Sequence, residues 1–178
     1  MSSIARWLIP FLLLLAPASA DEPSPRIGTK IGDVTLTDVH GREHALAELA
    51  KGRATVLAFL GTGCPLAKLY APRLADLAHE YESRGVVFVG VSPNRQDALT
   101  DLANFARVHD FPFQLLKDRE RELADAVGAS RVPQVFVLDG QRVVRYAGRI
   151  DDQYGYQDGV AYARPEPQRR ELADALDA

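Results

Sequence analysis

Ala54-Thr55-Val56-Leu57-Ala58-Phe59-Leu60-Gly61-Thr62-Gly63-Cys64-Pro65-Leu66-Ala67-Lys68 decides how this chain folds. Residues 54–60 are apolar almost throughout, as expected of a central strand covered on both faces. Two glycines then bracket Thr62 and lead to Cys64. After Pro65 the apolar positions Leu66, Leu69, Leu74, Leu77, Ala78 and Tyr81 recur at helical spacing. Pro65 suits a first helical turn, where a missing N–H costs nothing, whereas Pro72 should kink the helix. A strand therefore delivers a thiol to a helix N-terminus. Unpaired N–H groups and the positive end of the helix dipole favour a thiolate there. Lys68, four residues on, lies on the same face and is a candidate to add positive charge. An inert, buried cysteine is the plainer reading, but the flanking glycines favour a functional one.

Outward from this stretch, strands and helices alternate. Val34–Thr37 and His44–Leu46 flank turn residues Asp38–Gly41, which predicts an N-terminal β-hairpin. Val86–Val91 is a second buried strand. Asp97 is expected to cap a helix running to about His109, Phe113–Leu116 is a short strand, and Arg119–Val127 is helical up to Gly128. Val135–Leu138 and Val143–Tyr146 flank Asp139-Gly140-Gln141, a hairpin signal, and Pro167–Ala178 closes the chain as an amphipathic helix. This order predicts an α/β fold: a three-layer α/β/α sandwich on a mixed central sheet with an N-terminal β-hairpin extension.

Composition narrows the function. The 178 residues are 47% hydrophobic and 25% charged, ordinary for one globular domain. A net charge of -3 offers no basic footprint for nucleic acid. The single cysteine excludes an intramolecular disulfide and a multi-cysteine zinc site. His40, His44, His79 and His109 show no ligand spacing, so neither a metal nor a cofactor is expected. Arg6, the apolar run Trp7–Ala16 and Ala18-Ser19-Ala20 make residues 1–20 an expected signal peptide, with cleavage before Asp21. The run is too short for a bilayer-spanning helix of roughly 20 residues. Removing it leaves 158 residues with a net charge of -4 and no tryptophan. Residues 21–29 read as an extended leader and 30–178 as the domain. The expected location is periplasmic or secreted, with no membrane attachment after cleavage.

With these residues in view, the chain resembles the thioredoxin superfamily. A strand followed by Cys64-Pro65-Leu66-Ala67 at a helix start is similar to its active-site turn. Ser130-Arg131-Val132-Pro133-Gln134-Val135 is similar to the segment in which a cis-proline precedes a strand. The N-terminal hairpin points to the redoxin branch, peroxiredoxin-like (AhpC/TSA) and TlpA-like, over about residues 27–177. The resemblance implies that Cys64 is the nucleophile and that Pro133 packs beside it as a cis-proline. It also implies that Val132 offers its backbone to a partner chain. Thr62, Pro65, Lys68 and Arg149 are the supporting candidates.

Two departures qualify this. Ala67 stands where the resolving cysteine of a Cys-x-x-Cys motif, or the attacking cysteine of a peroxiredoxin, would be. Ala58 stands where thioredoxins carry a buried Asp. The expected function is thiol–disulfide exchange through one thiol, with a protein or small-molecule thiol or disulfide as partner and an external resolving thiol. The alternatives are a catalytically impaired binding module on the same scaffold and, less favoured, a peroxide-reducing peroxiredoxin. Residues 145–156 read as a polar, aromatic loop. There Arg149 is a candidate to steady a thiolate or an anion, and Asp151 and Asp152 are candidates for a cation. Local Arg–Asp pairing is the plainer reading.

Overall fold

A computed structural model describes residues 24–178; the expected signal peptide lies outside them. The N-terminal strands β1 (Thr35–Thr37) and β2 (Glu43–Ala45) pair antiparallel as the hairpin reading requires. A single helical turn, α1 (Leu46–Leu49), follows. Then come β3 (Ala54–Phe59), α2 (Pro65–Glu82), β4 (Val86–Ser92), α3 (Leu99–Val108), β5 (Leu115–Lys117) and α4 (Glu122–Val127). The chain finishes with β6 (Gln134–Asp139), β7 (Val144–Gly148), β8 (Tyr154–Gln157), β9 (Val160–Ala163) and α5 (Glu171–Asp177).

Seven strands form one mixed sheet in the order β2-β1-β5-β4-β3-β6-β7. β3, β4 and β5 run parallel, while β6 lies antiparallel to β3 and β7 antiparallel to β6. β3 is apolar at nearly every position because it has neighbours on both sides and helices on both faces. Val56, Ala58 and Leu60 enter one core with Leu74 and Leu77 of α2, Phe105 of α3 and Leu172 of α5. Leu57 and Phe59 enter the other, with Leu46 of α1 and Leu123 and Val127 of α4. Side chains alternate across the pleat, so one strand feeds both cores. Each large side chain buried in this way stabilises the fold by roughly 1.5–3 kcal/mol. The result is the thioredoxin-like three-layer sandwich.

Residues 24–29 do not stand away from the domain. Arg26 donates its N–H to the Val127 carbonyl at 3.1 Å, and Gly28 donates to that of Val144 at 2.8 Å. Pro72 lies inside α2. It is exposed, as is Lys68, whose carbonyl loses its helical N–H partner there, so water can take over. Gly128 caps α4 at φ +77°, a left-handed position suited to glycine.

The helices expected from Arg119 and Pro167 begin later, at Glu122 after a left-handed Arg121 and at Glu171, and two further features depart from the sequence reading. Asp97 does not cap α3. The cap position falls on Ala98, whose N–H donates to the Asp101 carboxylate at 3.0 Å, while Asp97 turns into the protein. Residues 154–156, read as loop, begin β8, and residues 154–163 form β8 and β9, a hairpin separate from the main sheet. Its turn is Asp158-Gly159, both with positive φ (+53° and +78°).

Asp38, buried in the β1–β2 turn, accepts hydrogen bonds from the His40 and Arg42 N–H groups (2.8 and 2.9 Å) and from Arg42 Nε (2.8 Å), and pairs with His44. Burial pushes its pKa up, but these bonds outweigh burial and hold it below the ordinary range. Asp97 is held down in the same way. Such carboxylates stabilise the fold above their unfolded pKa near 4 and lose that contribution as pH falls through their folded values. Asp118 acts oppositely. Burial outweighs its bonds to the α4 N–H groups and raises its pKa, so its contribution is present at low pH and lost as pH rises. With Asp139 and Asp152 also lowered, the thermal midpoint is expected to fall as pH drops from about 5 to about 2. Calorimetry across that range checks this, and a flat or rising midpoint contradicts it.

Candidate functional site

β3 ends between the C-terminal end of β4 and the start of β6, and residues 60–64 emerge there as a short connection to α2. Cys64 takes the N-cap position of α2 with extended backbone (φ -80°, ψ 118°), and Pro65 begins the helix. The Cys64 N–H donates to the Gly61 carbonyl at 3.0 Å, and its own carbonyl accepts from the Lys68 N–H at 3.2 Å. The thiol is free and half-buried. Its Sγ donates to the Val132 carbonyl at 3.4 Å. The Val132–Pro133 peptide bond is cis. Gln134, buried at the start of β6, accepts from the Ser130 and Arg131 N–H groups at 3.0 and 3.4 Å, which fixes the turn that carries Val132.

The loop before Cys64 is held from below by a carboxylate. Asp97 Oδ1 accepts from Thr62 Oγ1 at 2.7 Å. Its Oδ2 accepts from Ser92 Oγ at 2.8 Å, Asn94 Nδ2 at 3.2 Å and the Thr62 N–H at 3.3 Å. Beneath it, the buried Lys117 ammonium donates to the Asp97 carbonyl at 2.8 Å and to the Asn94 carbonyl. Burial lowers the Lys117 pKa, and the Asp97 charge counters part of that. Gly61 suits the site for a steric reason: a Cβ there would displace the Asn94 side-chain amide from its place and press on Val132.

The other expected site residues separate into two groups. Thr62, Pro65, Val132 and Pro133 surround Cys64, with Thr62 acting through Asp97. Lys68 is exposed and lines a cleft with Thr62, Asn104 and His109 on the α3 side. Arg149 does not reach the sulfur as a free cation. Its Nε and Nη2 are both bound to Glu171 Oε1 of α5, at 2.7 and 2.5 Å. Asp151 and Asp152 are likewise engaged, but by Arg73 of α2 at 3.8 Å and Arg164 at 3.3 Å rather than by an arginine of the 145–156 stretch itself. Among the described residues, no group of three or more His, Cys, Asp or Glu side chains could hold a metal ion, and no helix is long and apolar enough to cross a membrane. Ala58 and Ala67 are both fully buried and bring no titratable group to the thiol.

Sequence reasoning missed Ser92 and Lys117 as supports of this loop, and Tyr70 as the anchor of the β8–β9 hairpin. Asn94, at the C-terminal end of β4 where α/β sheets place their sites, was open to a supporting role from sequence, and it donates to Asp97. The Tyr70 hydroxyl lies 3.0 Å from the Asp151 and Tyr154 carbonyls and accepts the Tyr154 N–H at 3.0 Å. Burial raises its pKa well above that of a free phenol. The hairpin thereby stands beside the cis-proline. A cleft of about 290 Å³ runs between Leu66, Val132, Pro133 and the rings of Tyr154, Tyr156 and Tyr162.

The sequence profile of the AhpC/TSA family matches residues 27–147. The chain belongs to the AhpC/TSA family. The chain is similar to thiol-disulfide oxidoreductase ResA of Geobacillus thermodenitrificans, 28% identical over 113 residues, which cover 64% of this chain and 63% of ResA. Peroxiredoxin Bcp of Bacillus subtilis is 30% identical over 129 residues, 70% of this chain and 78% of Bcp. The crystal structure of a hypothetical protein from Sinorhizobium meliloti superposes with a TM-score of 0.74 at 29% identity, covering 87% of this chain and 84% of that one. These relatives thus carry two different names, thiol-disulfide oxidoreductase and peroxiredoxin, and the matched segment spans less than two thirds of ResA.

Proposed function

We propose that this protein is an exported thiol–disulfide oxidoreductase that works through one nucleophilic thiol, Cys64. The observation that carries this reading is the placement of a half-exposed Sγ at the start of α2, 3.4 Å from the Val132 carbonyl beside the cis Val132–Pro133 bond. The Cys64 thiolate attacks one sulfur of a substrate disulfide. The new Cys64–S bond forms as the old S–S bond breaks, and the second sulfur leaves as a thiolate that takes up a proton. An external thiol then attacks the mixed disulfide at the substrate sulfur, and Cys64 leaves as the thiolate. Electrons balance throughout, because each step exchanges one S–S bond for another.

Peroxide reduction is the weaker reading, because the resemblance would put the attacking sulfur at position 67, where a fully buried alanine sits. Export rests on the signal pattern of residues 1–20, and the partner is a thiol or disulfide rather than a nucleic acid. Alkylation of the folded protein by iodoacetamide, followed by intact mass, tests the site. Cys64 is expected to label in the folded state at a rate comparable to that of the unfolded chain. Labelling only on unfolding would leave a binding module without thiol chemistry.

A further inference from the structure

We infer that the β8–β9 hairpin is a recognition wall for the Cys64 site, selecting a polypeptide disulfide whose cysteine is flanked by an aromatic residue and a carboxylate. The inference rests on the Cys64 reading above and adds the class of substrate.

The hairpin is braced at its base and bare at its tip. At the base, the Tyr70 hydroxyl holds both the N–H and the carbonyl of Tyr154, and the two rings meet edge to face at 5.2 Å. The Gln153 amide donates to the Arg164 and Pro165 carbonyls at 3.3 and 3.1 Å, and the Arg164 guanidinium lies 4.5 Å above the Tyr162 ring. At the tip, Tyr156 is 62% and Val160 68% exposed. A two-stranded hairpin is marginally stable alone, so this bracing fixes the Tyr156 ring in water, on the face opposite Val160, without burying it. Such preorganised, exposed aromatic surface suits recognition, since little ordering remains to be done on binding.

The cleft behind the hairpin fits one kind of occupant. Its volume of about 290 Å³ lies at the small end of the roughly 300–1,000 Å³ of small-molecule sites, and its wall includes Val132, whose carbonyl meets the Cys64 thiol. That space takes a side chain of a longer partner rather than a whole cofactor. Charge supplies the second element. Arg149 at the cleft is neutralised by Glu171, whereas Arg131, exposed beside Val132, has no carboxylate within salt-bridge distance among the described residues. An acidic group on the partner is its complement.

The experiment compares rates of mixed-disulfide formation by Cys64 in the full chain. The probes are 2-hydroxyethyl disulfide, which is small and neutral, and two synthetic peptides with the cysteine blocked as its 2-mercaptoethanol disulfide. One peptide carries Tyr and Glu beside the cysteine, and the other carries Ala and Lys. Relative to the small reagent, the Tyr–Glu peptide is expected to react about tenfold faster than the Ala–Lys peptide. Tyr156→Ala should remove most of that ratio, and Arg131→Glu should turn the charge preference toward the Lys peptide. Equal ratios for both peptides, or ratios that neither substitution moves, overturn the inference while the Cys64 reading stands. No reaction with 2-hydroxyethyl disulfide overturns the Cys64 reading and this inference with it.

Discussion

Replacing Asp97 by Ala is expected to destabilise the protein by about 3–5 kcal/mol. The carboxylate is buried and gathers the Thr62 hydroxyl and N–H, the Ser92 hydroxyl and the Asn94 amide. Removing it strands those donors away from water and leaves the buried Lys117 ammonium without its nearby negative charge. Each orphaned buried group costs about 1–3 kcal/mol, and an uncompensated buried charge costs more. Asp97→Asn keeps an acceptor for Thr62 but turns an NH2 toward other donors, so its cost should be smaller. Denaturant unfolding measures both. A loss below about 1 kcal/mol for Asp97→Ala would show that the Gly61–Cys64 loop does not depend on this carboxylate.

Ala67→Cys is expected to convert a reaction that stalls at the mixed disulfide into one that releases its substrate and leaves the protein as an internal disulfide. Cys64 is the N-cap of α2 and Ala67 lies in its first turn. Side chains at i and i+3 on a helix have Cβ atoms about 5–6 Å apart, close enough for modest adjustment to bring them to disulfide geometry. In the native chain the mixed disulfide at Cys64 waits for an external thiol. In the variant the introduced thiol attacks Cys64 Sγ, the substrate leaves as a thiol and an intramolecular disulfide forms. Held at high effective concentration, that thiol should speed substrate release about tenfold or more. Ala67 is fully buried, so the larger side chain also costs stability, about 1–3 kcal/mol. Intact mass and the rate of substrate release report the outcome. A variant that forms no internal disulfide and releases substrate no faster contradicts the placement of position 67.

Much of the site was legible because its signals are local. A buried strand, two glycines and Cys-Pro at a helix start place the thiol, and Ser130–Pro133 before an apolar run places the turn that meets it. Asp97 was misread for the opposite reason. An Asp just before a helix is the ordinary sequence sign of an N-cap, but its partner is Thr62, 35 residues earlier in the chain, and nothing near Asp97 announces that. Lys117 is a charged residue drawn into the interior by the Asn94 and Asp97 carbonyls, again a tertiary effect. The pairing of Arg149 with Glu171 spans 22 residues. The β8–β9 hairpin did carry a local sign. Asp158-Gly159 between Tyr156-Gln157 and Val160-Ala161 is a two-residue turn of the kind that needs positive φ at both positions. The density of polar and aromatic residues from Arg145 to Tyr156 drew the reading toward a loop instead.

The most direct test mixes the folded, native chain with 2-hydroxyethyl disulfide and counts the thiol released. The single cysteine of the sequence sets the stoichiometry. One equivalent of 2-mercaptoethanol should appear per chain, Cys64 should carry the other half, and Cys64→Ser should release none. Added external thiol should then restore the free protein and permit a second round. Release that begins only when the chain is unfolded would contradict exchange at Cys64.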